Sequence, residues 1–413
     1  MTSVERSHLE SRVSRLRIGE TPAVIVGNGS TNDLSFLRSL GRRGIPTIFC
    51  TGDRQLGSFS RYGLRIRLPS VEDDPQEWLE VLHLSATLLK TRLVLFVLSD
   101  PHCAFVCRNV DVLRRNFRFV LPDAETVECI LNKKFQYTAA GVAGIGVPPT
   151  YYPDGVQDVI RLAANIGYPV ILKPYTAHLG RPQISNLKVL VIQSSADLIS
   201  AYSKCTASGA SFMVQQIVPG GDDNIFWYSA WWDERGRELA WFTAQKLRQF
   251  PPGFGDGSFQ QTVEAPAVLK HSRNLLEALR YRGLVSTEFK RDPRNGNYYL
   301  IEINARTVSG NQLGISAGVD LPWIAYRDLA GVDSPAPSPS LTINVKYVNE
   351  EWDVQAFWRL WKSKELTLAN WLLSLRGTRA RALFAWDDPA PLLCGLWRFL
   401  SVLLRRILQP FCP

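Results

Sequence analysis

The stretch 284–311 constrains the chain more than any other. Residues 285–290 and 298–303 are short runs rich in β-branched and aromatic side chains, with Asn295-Gly296-Asn297 between them. This order predicts two antiparallel strands and a tight turn, because Asn and Gly tolerate the positive φ that hairpin turns require. Side chains alternate along a strand, so Glu302 and Asn304 share a face, and Glu288 reaches it from the partner strand in ordinary register. Two carboxylates and an amide oxygen on one face make a donor set for a hard cation such as Mg2+. Arg306 follows, where it could hold a phosphate or carboxylate oxygen. An exposed hairpin would also put polar residues into water, so the rest of the chain has to decide.

A length of 413 residues allows two to three domains with a sizeable core. The formal charge of +9 suits an anionic ligand or surface. The basic residues are dispersed and build no repeated aromatic–basic platform, which speaks against nucleic acid as a partner. Seven scattered cysteines, an odd number, read as free thiols of a reducing cytosol. His102, Cys103 and Cys107 lie close together, but no second ligand pair follows, so zinc is not expected. Residues 1–17 are polar and basic and carry no apolar signal core. The expected location is therefore cytoplasmic.

Apolar runs at 23–26, 47–50 and 93–98 read as buried parallel strands, with helical spacing at 34–40, 78–89, 106–116 and 124–131. Gly27 and Gly29 begin a G-x-G-x-x-G pattern. Its third position is Asn32, which argues for a Rossmann-like domain without a dinucleotide. From Asn132 the pattern changes. Residues 168–174 form a strand closed by Lys173, a buried ammonium that needs an anion unless it reaches water. A strand at 212–218, two antiparallel strands at 225–232 and 238–245, and a helix at 267–280 then lead into the hairpin. Residues 178–181 and the glycine-rich 253–257 are candidate lids.

Several separated motifs agree in order and spacing: Asn132-Lys133, Val170-Ile-Leu-Lys173-Pro174, Val214-Gln-Gln216-Ile-Val-Pro-Gly220, and Glu288 with Glu302-Ile-Asn304-Ala-Arg306. Together they resemble the ATP-grasp superfamily, and Gln245-Lys246-Leu-Arg248 with Asp387-Asp388-Pro389-Ala-Pro391 carries a narrower resemblance to the D-aspartate-ligase and mycosporine-type carboxylate–amine ligases. The resemblance implies an α/β and α+β chain with three parts: a Rossmann-like pre-ATP-grasp domain at 18–124, an ATP-grasp domain at 125–331, and a mostly helical extension at 341–413. It implies that Lys133 and Lys173 meet ATP phosphates. Residues Gln215, Gln216 and Val218 belong to the adenine hinge, and Asp222 or Asp223 holds the ribose. Glu288, Glu302 and Asn304 bind Mg2+, with Mn2+ as a substitute. Arg306, Lys246 and Arg248 act at the transferred phosphoryl group or the carboxylate. The implied reaction joins a small carboxylate to an amine, one of them an amino acid, through an acyl phosphate. A carboxylase, a phosphotransferase or a non-catalytic nucleotide binder is the alternative. The hinge carries glutamines where the family usually has a glutamate.

Residues 391–411 are strongly apolar but interrupted by Arg398, Arg405 and Arg406, so a spanning helix is not expected. An amphipathic helix there could pack on the body, on a second copy, or on an anionic membrane surface.

Overall fold

The computed structural model describes residues 3–16, 19–52, 55–176, 181–185, 187–207, 209–332 and 340–408. Sixteen strands among them form three sheets. The first is parallel, in the order β3-β2-β1-β4-β5: β1 (Ala23–Gly27), β2 (Thr47–Thr51), β3 (Leu64–Arg67), β4 (Leu93–Val97) and β5 (Phe117–Arg118). Every residue of β1, β2 and β4 is buried, which is why they read as unbroken apolar runs rather than alternating ones. The strand order reverses between β1 and β4. In such sheets the crevice beyond the carboxyl ends of those two strands is the natural ligand site.

Asn32 stands where the third glycine of a dinucleotide fingerprint would be. Its amide donates to the Thr307 carbonyl at 3.0 Å and accepts from the Thr307 hydroxyl at 2.8 Å. The position therefore clips the first sheet's opening helix, Thr31–Gly41, to the loop after the hairpin.

The second sheet is antiparallel: β6 (Thr150–Tyr151), β7 (Val170–Pro174), β8 (Leu190–Ile192) and β9 (Phe212–Gln216), in the order β6-β9-β7-β8. It has a core of its own, built with the helices Val156–Ala163 and Ser195–Thr206. The third sheet has seven strands: β10 (Ile225–Trp232), β11 (Glu238–Phe250), β12 (Asp256–Thr262), β13 (Gly283–Arg291), β14 (Tyr298–Asn304), β15 (Lys346–Val348) and β16 (Thr378–Arg381), in the order β14-β13-β10-β11-β12-β15-β16. The two large hydrophobic cores mix side chains of the parallel and seven-stranded sheets, so these two layers are packed as one body.

Several expectations need revision. The stretch 106–116 is split at Asn109 into helices Asp100–Arg108 and Val110–Leu113. Strand β11 runs on to Phe250 instead of ending near Gln245, with register shifts around Arg248, so Lys246 and Arg248 lie on the strand itself. The glycine-rich lid candidate 253–257 runs from a tight turn into β12. Gly253 has φ +88°, and a Cβ on Gly255 would stand 2.1 Å from the Phe250 carbonyl carbon. Of the other lid candidate, 178–180 and the side chain of Arg181 lie outside the described residues.

The segment expected as a helical extension supplies β15 and β16 to the central sheet as well as the helices Glu350–Lys362, Leu368–Ser374 and Ala390–Leu408. It is pinned to the helix Thr31–Gly41 and the residue after it by Arg38, fully buried with its Nε 2.9 Å from Asp388 Oδ2, and by Arg42, 2.7 Å from Asp387. No described helix is long and apolar enough to cross a membrane. In the last helix the side chains of 399, 400 and 402–408, which carry much of the expected amphipathic face, lie outside the described residues.

Candidate active site

Two cavities meet on the hairpin. One lies between the seven-stranded and four-stranded sheets and is lined by Lys133, Lys173, Gln215, Gln216, Val218 and Lys290, among others. The other lies between the hairpin and the ends of β1 and β4. Its walls include Ser30, Asp100, Lys246, Asn304 and Arg306. Three side chains, Lys188, Glu288 and Glu302, line both.

The hairpin register brings the carboxylates together. Glu288 pairs with Glu302 across β13 and β14, and a shift follows at Phe289, which pairs with Leu300. Each carboxylate is met by a lysine from elsewhere. Lys133 opens the helix Lys133–Val142, which docks on β14 through Gln136. That amide accepts from Ile303 N at 3.0 Å and donates to Ile303 O at 3.1 Å. Docking sets Lys133 Nζ 2.7 Å from Glu302 Oε1. Lys246, on β11, places Nζ 2.7 Å from Glu288 Oε2 and donates to Gln249 Oε1 at 3.2 Å. Lys173 closes β7, buried, and donates to the Tyr137 hydroxyl at 3.2 Å and the Ile301 carbonyl at 3.4 Å.

Burial pushes the Glu302 carboxyl up, but Lys133, Lys188 and Lys173 outweigh it and hold the group well below the usual range. Burial lowers the Lys133 pKa, with Glu302 opposing and Lys173 adding to the fall. At Lys188 burial also opposes the ammonium, yet Asp256, Glu302 and Glu288 raise its pKa, and its Nζ is 2.8 Å from Asp256. Arg306 is tied to the first sheet. Its Nε donates to Asp100 Oδ1 at 2.7 Å, and Asp100 raises its pKa against the effect of burial.

The donor set fits Mg2+. Glu288, Glu302 and Asn304 offer hard oxygens on one wall, and Glu302 is held as a carboxylate. Each carboxylate gives one oxygen to a lysine and has a second to offer. Among the described residues no group of three His, Cys, Asp or Glu side chains forms a metal cluster, so a metal held here would draw on the amide of Asn304 as well.

Three expected site residues lie elsewhere. Arg248 lines neither cavity. It is buried in a fork to Asp353, both contacts 2.9 Å, and lies over the Phe259 ring at 4.3 Å. Alternation explains this, since the bulges around it turn the side chain toward the helix Glu350–Lys362. Asp222 accepts from Gln249 N, Gln249 Nε2 and Gly253 N, so it holds the turn after β11. Asp223 is exposed, contacts Asn224, and lines neither cavity. Gln215 is buried and donates to Thr150 Oγ1 at 2.8 Å, while its backbone lies between β6 and β7. The register ends at Gln216, which leaves Ile217 and Val218 as the chain's exit along the first cavity.

Sequence reasoning assigned no role to Lys188, Asp100 or Asp256. Asp100 had a usable signal, an acid just past a buried parallel strand at a point where strand order reverses. Lys188 had none, because it follows a polar loop without periodicity.

With the geometry in hand, comparisons with known proteins place the chain. A family model described as "ATP-grasp in the biosynthetic pathway with Ter operon" matches residues 239–351, which run from β11 through the hairpin. The chain is 24% identical to biotin carboxylase of Pseudomonas aeruginosa over 334 residues, covering 75% of this chain and 70% of that protein. It is 25% identical to D-aspartate ligase of Enterococcus faecium over 226 residues, 52% of this chain and 53% of the ligase, so it spans about half of that relative's length. The solved biotin carboxylase of Campylobacter jejuni, in complex with an ATP analogue, superposes with a TM-score of 0.61 at 18% identity, covering 79% of this chain and 74% of that one. The chain has the ATP-grasp fold, and its residues 239–351 match an ATP-grasp family model. Among known proteins it stands near both carboxylate–amine ligases and biotin carboxylases.

Proposed function

We propose that this protein is an ATP-dependent, ADP-forming ligase that joins a small carboxylate to an amine, one of the two an amino acid. The observation that carries the proposal is that Lys188, Glu288 and Glu302 line both cavities, so a nucleotide's phosphate tail in one would end beside a substrate in the other. The similarity to D-aspartate ligase adds support. In the first step a carboxylate oxygen bonds to the γ-phosphorus of ATP while the bond from phosphorus to the β–γ bridging oxygen breaks, releasing ADP. In the second, the amine nitrogen attacks the acyl carbon. Phosphate leaves with the electron pair, and the amine's proton passes to solvent.

The chain's own residues do electrostatic work in both steps. Phosphoryl transfer needs positioning and charge neutralisation more than covalent help. Lys133 and Lys173 face the phosphates from the first cavity, and Lys188 and Lys246 face the transferred group at the junction. Arg306 steadies the carboxylate or the acyl phosphate from the second cavity. The exit strand through Gln215, Gln216 and Val218 offers backbone groups to the adenine. Glu288, Glu302 and Asn304 would hold Mg2+ or Mn2+, which supplies further neutralisation at the phosphates when bound.

The match to biotin carboxylase favours a second reading, with bicarbonate as the carboxylate that is activated. Incubation with ATP, Mg2+ and pools of small acids and amines, read by ADP release and product mass, separates the two. An amide product establishes the ligase. A carboxylated product that requires bicarbonate rejects it in favour of the carboxylase.

A further inference from the structure

Among the described residues, eighteen large apolar side chains stand exposed, and ten of them fall between 354 and 397. They include all four of the exposed tryptophans: Trp358 at 51%, Trp361 at 49%, Trp386 at 88% and Trp397 at 74%. Chance scatter of surface apolar groups needs no explanation, but concentration of this kind does. Trp358 and Trp361 lie three apart on the helix Glu350–Lys362, with ring centroids 5.2 Å apart. Leu368, Leu372 and Leu373 belong to the next helix, Leu368–Ser374, docked on the first by Phe357 stacking on Trp371 at 4.6 Å. Trp386 precedes the last helix and Trp397 lies on it, and that helix also contacts Glu350–Lys362.

The charges around these groups are one-sided. Between 350 and 398 seven basic side chains are exposed: Arg359, Lys362 and Lys364, then Arg376, Arg379 and Arg381, and finally Arg398. The one exposed acid in that span is Glu365. The others, Glu350, Glu351, Asp353, Asp387 and Asp388, are buried or half-buried, and all but Glu351 are hydrogen-bonded within the fold. None of the seven cations closes a salt bridge with a described carboxylate. Lys362 lies 5.2 Å over the Trp358 ring, so the cation and the aromatic share one surface.

We propose that this surface, formed by the C-terminal helices and β16, lies on a membrane rich in anionic lipid. Indole rings prefer the headgroup boundary, where an apolar body and a polar N–H are both satisfied. Lysine and arginine stems bury along apolar surface while their heads reach lipid phosphates. A second copy of this chain is a poorer occupant. A self-complementary contact would set this cationic face against itself, and like charges oppose it. The surface is separate from both cavities, apart from Trp352 of the same helix, which lines the second.

The test is sedimentation of the full chain with vesicles of phosphatidylcholine alone and of phosphatidylcholine with phosphatidylglycerol. Binding is expected to the mixed vesicles and to fall steeply with added salt. Two variants follow, Trp358→Ser with Trp361→Ser, and Arg376→Gln with Arg379→Gln and Arg381→Gln. All sites are exposed, so folding should survive, checked by melting temperature. Each should lower the bound fraction several-fold while ADP formation in solution is unchanged. Equal sedimentation with and without the anionic lipid overturns the proposal. So does a stable dimer, seen by analytical ultracentrifugation, that the tryptophan variant dissociates without any vesicle binding in the wild type.

Discussion

Glu288 and Glu302 face each other across the β13–β14 pair, and each is held at 2.7 Å by a lysine from a different element, Lys246 from β11 and Lys133 from a helix start. The two lysines keep like charges side by side on one wall. Were a divalent ion bound here, Glu288 and Glu302 would hold it, and Lys133 and Lys246 would be released to meet phosphate oxygens.

Removing one carboxylate should therefore break catalysis without breaking the fold. Glu302→Gln is expected to lower Mg2+-dependent ADP formation by about 10²- to 10³-fold, the range seen when one preorganised electrostatic partner is lost. Circular dichroism and melting should show a folded protein. Wild-type turnover in this variant would remove the metal assignment.

Lys188 and Arg248 separate the site from its support. Lys188→Met should raise the KM for ATP and lower kcat, because the residue lines both cavities. Arg248→Ala should do neither in the fraction that folds. It leaves Asp353 buried without its guanidinium, and loss of one partner of a buried pair costs about 3–5 kcal/mol. Denaturant melts and steady-state kinetics on both variants check the contrast.

Acid stability should report the state of Glu302. Its folded pKa lies below the unfolded value near 4.5, because Lys133, Lys188 and Lys173 outweigh burial. The stabilisation is therefore complete above that value and is lost as pH falls below it toward the folded pKa. Melting temperatures from pH 6 to 3 should fall more steeply in the wild type than in Glu302→Gln. Parallel curves would contradict the charge pairing.

Asp33 should act in the opposite sense. Burial pushes its carboxyl up to about 7 despite the Ser30 and Gly29 amides, and Oδ1 has no hydrogen-bond partner. Its folded pKa exceeds the unfolded value of 3.8, so stability falls as pH rises from there to about 7. Asp33→Asn, which keeps an acceptor for Ser30 N, should lose that decline. The comparison is made by denaturant melts between pH 5 and 8.

The hairpin was legible because its two strands, its Asn-Gly turn and its alternation all point one way. The buried runs at β1, β2, β4 and β7 were legible for the same reason. Lys246 could be placed near the phosphates, but its neighbour Arg248 could not be told from it, since the bulges that turn it toward Asp353 leave no mark in the sequence. Asp222 looked like a ribose ligand because an acid after the hinge has that role in the family, whereas here three donors from the β11 turn consume it. Strands β12 and β16 were missed, and β15 was read as a longer run at 341–348. Glycines and charges interrupt their patterns, and their places are set by pairing with partners up to about a hundred residues away.

The most direct measurement is the mass of whatever product accompanies ADP. With wild-type protein, ATP, Mg2+ and a matched acid and amine, one new species should appear in step with ADP, its mass the sum of the two substrates less one water. ADP formed without an amine requirement, or a product carrying a carboxyl from bicarbonate, would contradict amide ligation at the Glu288–Glu302 junction.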